Sequence, residues 1–189
     1  MKIQIENDLA YVRTPYHPNF VSKIKRCSSA KWDATRQAWQ VKADLVPVVR
    51  KLMVDIFGES DIPAEGKRFD VWLTFNTAVY ADREGVYFFG KCLARARGRD
   101  SGARPGDGVC YISRGCRSGG SMKYWESIVN DGSIVVIYDV PETLILNEKH
   151  LEGVEYEFIE RVANQDELNA EKARLMARIK EIDTILGAS

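Results

Sequence analysis

The chain has 189 residues, 45% of them apolar, with 27 basic and 27 acidic side chains and no formal net charge. That size and balance are those of a soluble globular protein, folded as one ordinary domain or two small ones. The longest apolar runs, such as SIVVIY, are too short to cross a bilayer, and MKIQIENDLAYV lacks the basic and apolar regions of a secretion signal. A cytoplasmic protein with no membrane partner is expected.

The neutral total hides an asymmetry. Residues 1–57 carry a net +5, 58–82 a net −3, 83–123 a net +6 and 124–189 a net −8. A polyanion therefore meets a local basic field rather than the global charge. Cys27, Cys92, Cys110 and Cys116 have no C-x-x-C spacing, and the only histidines are His17 and His150. Reduced thiols are expected, without a metal or cofactor.

In chain order, KIQIENDLAYVRT alternates as two short strands around Asn7-Asp8. Pro15 and Pro18 frame an extended link containing His17, read as a turn or surface residue. Phe20, Val21, Ile24 and Cys27 then recur at the spacing of an apolar helix face, with Lys23, Lys25 and Arg26 toward the other side. These three cations form either an ordinary solvated face or a nucleic-acid contact. AKWDATRQAWQV suits two strands, each presenting a tryptophan, and Trp32 and Trp39 are expected in the core. Asp44 is placed to cap a helix whose stripe is Leu45, Val48, Val49, Leu52, Met53 and Ile56, stopped by Gly58.

The stretch TPYHPNFVSKIKRCSSAKWDATRQAWQVKADLVPVVRKLM resembles the HARP-like module found beside the motor of annealing helicases and in some phage proteins. The resemblance covers residues 9–57 and rests mainly on Trp32, Asp33 and Trp39. It implies a DNA-engaging module, DNA being favoured over RNA, but there is no phosphate loop of a helicase motor. The whole chain also resembles small phage and prophage proteins, through GRDSGARPGDGV and SGGSMKYW followed by IYDVP.

GESDIPAEGK reads as a linker over 59–67. RFDVWLTF, VYFFGKCLARARGR, GVCYISRG and GSIVVIYDVP read as strands, and SMKYWESIV as a short helix. Asn164 and Glu167 resemble a capping pair. Leu168, Leu175, Ile179, Ile182 and Leu186 then form a narrow apolar seam, which either pairs two copies of the chain or docks on its own sheet. The expected fold is α+β. It comprises a ββαββα unit over 1–58, a twisted, mostly antiparallel sheet or partial barrel over 68–163, and an amphipathic helix over 164–189.

RARGRDSGARPGDG, residues 95–108, packs four arginines and four glycines into fourteen positions. A strand over 91–99 places Lys91, Arg95, Arg97 and Arg99 on one face, with Cys92, Ala94, Ala96 and Gly98 on the other. Arg104 follows, and Gly102, Gly106 and Gly108 can leave backbone amides bare to a ligand. Further on come Arg114 and Arg117. Gly119, Gly120, Ser121 and Lys123 at the start of the expected helix suit a second anion cradle, with Tyr111, Tyr124 and Trp125 available for base stacking. The plain alternative is a solvated hairpin tip in which Arg99 pairs with Asp100 or Asp107.

No nucleophile elbow, zinc-protease motif or identifiable carboxylate pair is present, so a non-enzymatic role is expected. The expected function is weakly sequence-specific nucleic-acid binding through phosphates. The alternative is an anti-defence protein of the anti-CRISPR kind. It either blocks a host defence complex, using Glu126, Glu155, Glu157 and Glu160 as a nucleic-acid decoy, or sequesters a nucleotide messenger.

Overall fold

The computed structural model describes residues 1–147, 150–161 and 165–187, and for 165–167, 185 and 186 the backbone alone. The chain is α+β, with mostly antiparallel sheets and a C-terminal helix.

The first 58 residues enclose their own core. β1 (Lys2–Glu6) and β2 (Leu9–Arg13) form a hairpin about Asn7, which accepts the positive φ (54°) of the tight turn. α1 (Pro18–Ile24) starts on a proline, and His17 Nδ1 accepts the Asn19 amide at 3.2 Å as its N-cap. β3 (Lys31–Asp33) and β4 (Ala38–Lys42) complete a sheet of order β1-β2-β4-β3. After a 3-10 turn over Ala43–Leu45, α2 (Val46–Phe57) ends on Gly58 in the left-handed region (φ 78°). Ala10, Val12, Phe20, Ile24, Val41, Val49 and Met53 are completely buried in this core.

Three expectations are corrected here. Trp32 is 53% exposed, because β3 is the edge strand and its ring lies edge-on over Trp39, 5.4 Å away, covering it from outside. Asp44 sits in the 3-10 turn rather than capping α2, and the buried stripe runs through Val46, Val49, Met53, Ile56 and Phe57, leaving Val48 exposed. His17 is only 7% exposed, with its ring packed 5.8 Å from Phe57 and 4.5 Å from Tyr87.

The following strands are β5 (Arg68–Phe75), β6 (Val79–Asp82), β7 (Val86–Phe88), β8 (Lys91–Ala96), β9 (Ala103–Arg104), β10 (Val109–Ser113), β11 (Cys116–Gly120), β12 (Trp125–Val129) and β13 (Ile134–Pro141). α3 (Glu142–Asn147) and β14 (Val154–Glu160) follow. They form sheets of order β10-β13-β5-β14, β11-β12-β6 and β7-β8-β9 around a second core that includes Val71, Leu73, Phe75, Leu93, Val135 and Ile137.

Residues 86–99 are not one strand. Phe89 and Gly90, with φ of 48° and 70°, make a two-residue turn between β7 and β8, and β8 stops at Ala96. The expected helix at SMKYWESIV is replaced by the β11–β12 hairpin, whose turn is closed by the Ser121 amide donating to the Tyr124 carbonyl (2.8 Å) and the Tyr124 amide donating to Ser121 Oγ (3.0 Å). Burial of Ser127, Ile128 and Val129 between β11 and β6 overrides local helix propensity there.

The two cores meet along a tight seam. A Cβ on Gly90 would lie 2.5 Å from the Ile56 carbonyl oxygen, so only glycine lets the β7–β8 turn rest on the end of α2. The intervening residues are tied down by Arg50, which donates to both Asp61 carboxylate oxygens at 2.9 and 2.7 Å.

α4 (Gln165–Leu186) stands clear of both cores. Among the described side chains of the seam, Leu168, Leu175, Ile179 and Ile182 are 41–57% exposed, so these four do not dock on the chain's own sheet. Asn164 and the side chains of Glu167 and Leu186 lie outside the described residues.

Candidate functional site

A cleft of about 760 Å³ opens where the two cores meet. Pro15, Tyr16 and Phe57 contribute from the first, and β7, β8, β9 and the loop through Asp107 from the second. Its shape depends on an irregularity in β8. Val86 pairs with Ala94 but Tyr87 with Cys92, making Leu93 the extra residue of a bulge. The strict alternation expected over 91–99 is therefore broken, and Lys91, Cys92 and Arg95 all line the cleft.

Arg95 and Arg104 are direct partners across the β8–β9 ladder, and both line the cleft with Lys91 and Arg97. Among the described residues none of these four cations forms an ion pair. The lining acids are Glu59, already held by Arg68 at 3.0 Å, and Asp107. The Arg95 guanidinium lies 3.6 Å from the centre of the Tyr16 ring, a cation–π contact joining the two cores. Arg95 Nε and Tyr87 Oη are buried without a hydrogen-bond partner. Burial, followed by the neighbouring Cys92 thiol, pushes the Tyr87 hydroxyl pKa up, so it stays protonated.

Of the three glycines expected to leave their amides bare, Gly102 and Gly106 do not. The Gly98 amide donates to Ser101 Oγ (3.1 Å), Gly102 to Ser118 Oγ (3.0 Å) and Gly106 to the Cys92 carbonyl (2.8 Å). Charge in this cleft comes from side chains, while the loop backbone is spent on holding its own shape. Arg99 is also withdrawn: it pairs with Asp100 at 3.0 Å.

The other basic residues lie apart from the cleft lining. Arg114 is exposed at the turn after β10, and Arg117 Nε donates to Asn130 Oδ1 at 3.0 Å. Gly119, Gly120 and Ser121 belong to the β11–β12 hairpin, so the helix N-terminus expected there as an anion cradle does not form. Lys123 lies 5.3 Å from the exposed Tyr124 ring, while Arg83 donates to the Lys123 carbonyl and lies 5.0 Å from Tyr124 and 5.2 Å from Trp125. This is a separate cation–aromatic tip. Tyr111 is not offered to a base: it is half-buried and its hydroxyl donates to the Leu93 carbonyl at 3.0 Å.

Lys23, Lys25 and Arg26 are exposed, and only Lys23 faces a recess, about 280 Å³, shared with His17, Asp55 and Tyr87. His17 has its pKa lowered to about 4, by burial first and by Lys23 second. Among the described residues no group of three His, Cys, Asp or Glu is placed to hold a metal ion. No described helix is long and apolar enough to cross a membrane.

Tyr16, Tyr87 and Arg83 are the residues that the sequence did not single out. Tyr16 follows a proline in an extended link, and only the docking of the two cores brings it to Arg95. Comparison with protein-family models, curated proteins and solved structures finds no match to the chain.

Proposed function

We propose that the chain is a non-enzymatic, weakly sequence-specific nucleic-acid-binding protein of the phage type that contacts phosphates through the inter-core cleft, DNA being preferred to RNA. The observation that supports it best is the set Lys91, Arg95, Arg97 and Arg104: four cations on one concave surface, without carboxylate partners among the described residues. Gathering like charges on one surface is unfavourable in the free protein and becomes favourable when a polyanion neutralises them.

On this proposal the first 58 residues act as a HARP-like ββαββα module, and the strands that follow act as a twisted sheet or partial barrel carrying most of the cations. Lys23, Lys25, Arg26, Arg114, Arg117 and Lys123 add peripheral phosphate contacts. Tyr124 and Trp125, backed by Arg83, supply stacking away from the cleft. The seam Leu168, Leu175, Ile179, Ile182 and Leu186 pairs two copies of the chain.

The anti-defence alternative draws less support from the geometry. Glu126 sits on β12, in a different sheet from Glu155, Glu157 and Glu160 on β14, and Glu160 is taken up by Lys67 at 2.8 Å.

Gel shifts with single-stranded, duplex and forked DNA over a salt series test the proposal. Binding that falls steeply with salt is expected. Absence of binding at low salt, with co-purification of a host nuclease complex without DNA, would favour the alternative.

A further inference from the structure

The cleft is divided chemically. Tyr16 and Tyr87 present rings, whereas Arg95 and Arg104, facing each other across β8 and β9, present charge. Its volume of about 760 Å³ falls within the roughly 300–1,000 Å³ of small-molecule sites. A guest must therefore have a flat, partly apolar body and a compact anionic end.

The amount of charge narrows the guest further. An internal phosphodiester brings one negative charge, but a terminal phosphate monoester brings about −1.5 to −2 and three strong acceptor oxygens. Two arginines directly opposite one another, with Lys91 and Arg97 on the same surface, match the monoester better. The guanidinium of Arg95, stacked on Tyr16, forms a planar shelf, and guanidinium planes and aromatic rings both stack on nucleobases. Behind this shelf Arg95 Nε is buried without a partner in the chain, and the Tyr87 hydroxyl has the Cys92 thiol beside it.

From this geometry we infer that the inter-core cleft binds a terminal nucleoside monophosphate, base on the tyrosine and guanidinium side and phosphate between Arg95 and Arg104. The inference rests on the nucleic-acid reading for one of its two sources, the 5′-phosphorylated end of a strand, and is independent of it for the other, a free mononucleotide. Binding bridges the Pro15–Tyr16 link to β8 and β9, so it also stiffens the seam between the cores.

Calorimetry with 5′-AMP, inorganic phosphate and adenosine, together with anisotropy on one single-stranded 12-mer carrying either a 5′-phosphate or a 5′-hydroxyl, tests this. At least one 5′-phosphorylated probe is expected to exceed its dephosphorylated counterpart by about tenfold, and AMP to exceed inorganic phosphate similarly if the free nucleotide is the guest. Arg104→Gln and Tyr16→Ala should each weaken that binding about tenfold, whereas Lys51→Gln, exposed on α2 outside the cleft, should not. Arg104 is exposed, so its variant keeps the fold and the result stays interpretable.

A response by AMP alone assigns the free nucleotide, and a response by the 12-mer alone assigns the strand end. If neither the 5′-phosphate nor the base changes affinity, or if Arg104→Gln and Tyr16→Ala bind like the parent, the inference is overturned. Persistent salt-dependent binding of both 12-mers would in that case leave the nucleic-acid reading standing. AMP binding with no 12-mer binding would sink that reading and keep this one.

Discussion

Arg95 and Arg104 stand directly opposite each other in the β8–β9 ladder, two like charges where a sheet ordinarily places opposite or apolar pairs. Such a pair lowers the stability of the unliganded protein by a few tenths of a kcal/mol up to about 1 kcal/mol. Arg104→Gln is therefore expected to raise the denaturation midpoint slightly while weakening binding to single-stranded DNA. Urea melts and anisotropy on the same samples check both signs. A variant that loses stability would show that Arg104 is held by a partner within the fold.

The cations of the middle segment are not equivalent. Arg99 is engaged by Asp100, and Arg117 by Asn130, whereas Arg97 is exposed in the cleft mouth with no ion pair among the described residues. Arg97→Glu should cost more DNA affinity than Arg99→Glu at equal salt, by about threefold or more. Parallel titrations at one ionic strength measure the ratio, and equal losses would mean that only the net charge of the segment matters.

His17 lies at the junction, capping α1 with its ring against Tyr87, and its folded pKa is lowered to about 4. The unfolded chain, with an imidazole near 6.5, binds the extra proton first as pH falls. Stability from this residue is thus complete above pH 6.5 and is lost progressively between 6.5 and 4, by about 2 kcal/mol. His17→Asn keeps a capping side chain and should flatten this part of the stability–pH profile. An unchanged profile would place the acid sensitivity elsewhere.

Gly90 and Gly98 provide a paired test of the junction. A Cβ at Gly90 meets the Ile56 carbonyl and φ is 70°, while nothing lies within 4 Å of one at Gly98. Gly90→Ala should destabilise by about 1–3 kcal/mol, and Gly98→Ala should stay within about 0.5 kcal/mol of the parent. Thermal melts of the two variants make the comparison.

The strands with a plain period of two were legible in the sequence. β5 buries Val71, Leu73 and Phe75 in strict alternation, and the hairpin about Asn7 follows from its turn chemistry. α1 was legible from Phe20 and Ile24. The arginine row was visible as composition, but its arrangement was not, because the bulge at Leu93 and the stop at Ala96 depend on β7 and β9, not on local spacing. Ser121 looked like a helix cap and is a hairpin turn residue, since the burial of Ile128 and Val129 is set by strands distant in sequence. Tyr16 carried no signal: its partner Arg95 lies in the other core.

The seam of α4 yields a further prediction. With Leu175 and Ile179 exposed on a helix clear of both cores, sedimentation velocity should show self-association that Leu175→Asp with Ile179→Asp abolishes, leaving the thermal melt of the rest unchanged. A parent chain that is monomeric at high micromolar concentration would rule this out.

The most direct measurement is the slope of log affinity against log salt for a single-stranded oligonucleotide, in the parent and in the triple variant Arg95→Gln, Arg97→Gln, Arg104→Gln. Each phosphate that the variant no longer neutralises on a single strand should reduce the slope by about 0.7, so a fall of about 2 is expected, with the circular dichroism spectrum unchanged. Identical slopes in the two proteins would contradict the assignment of phosphate binding to this cleft.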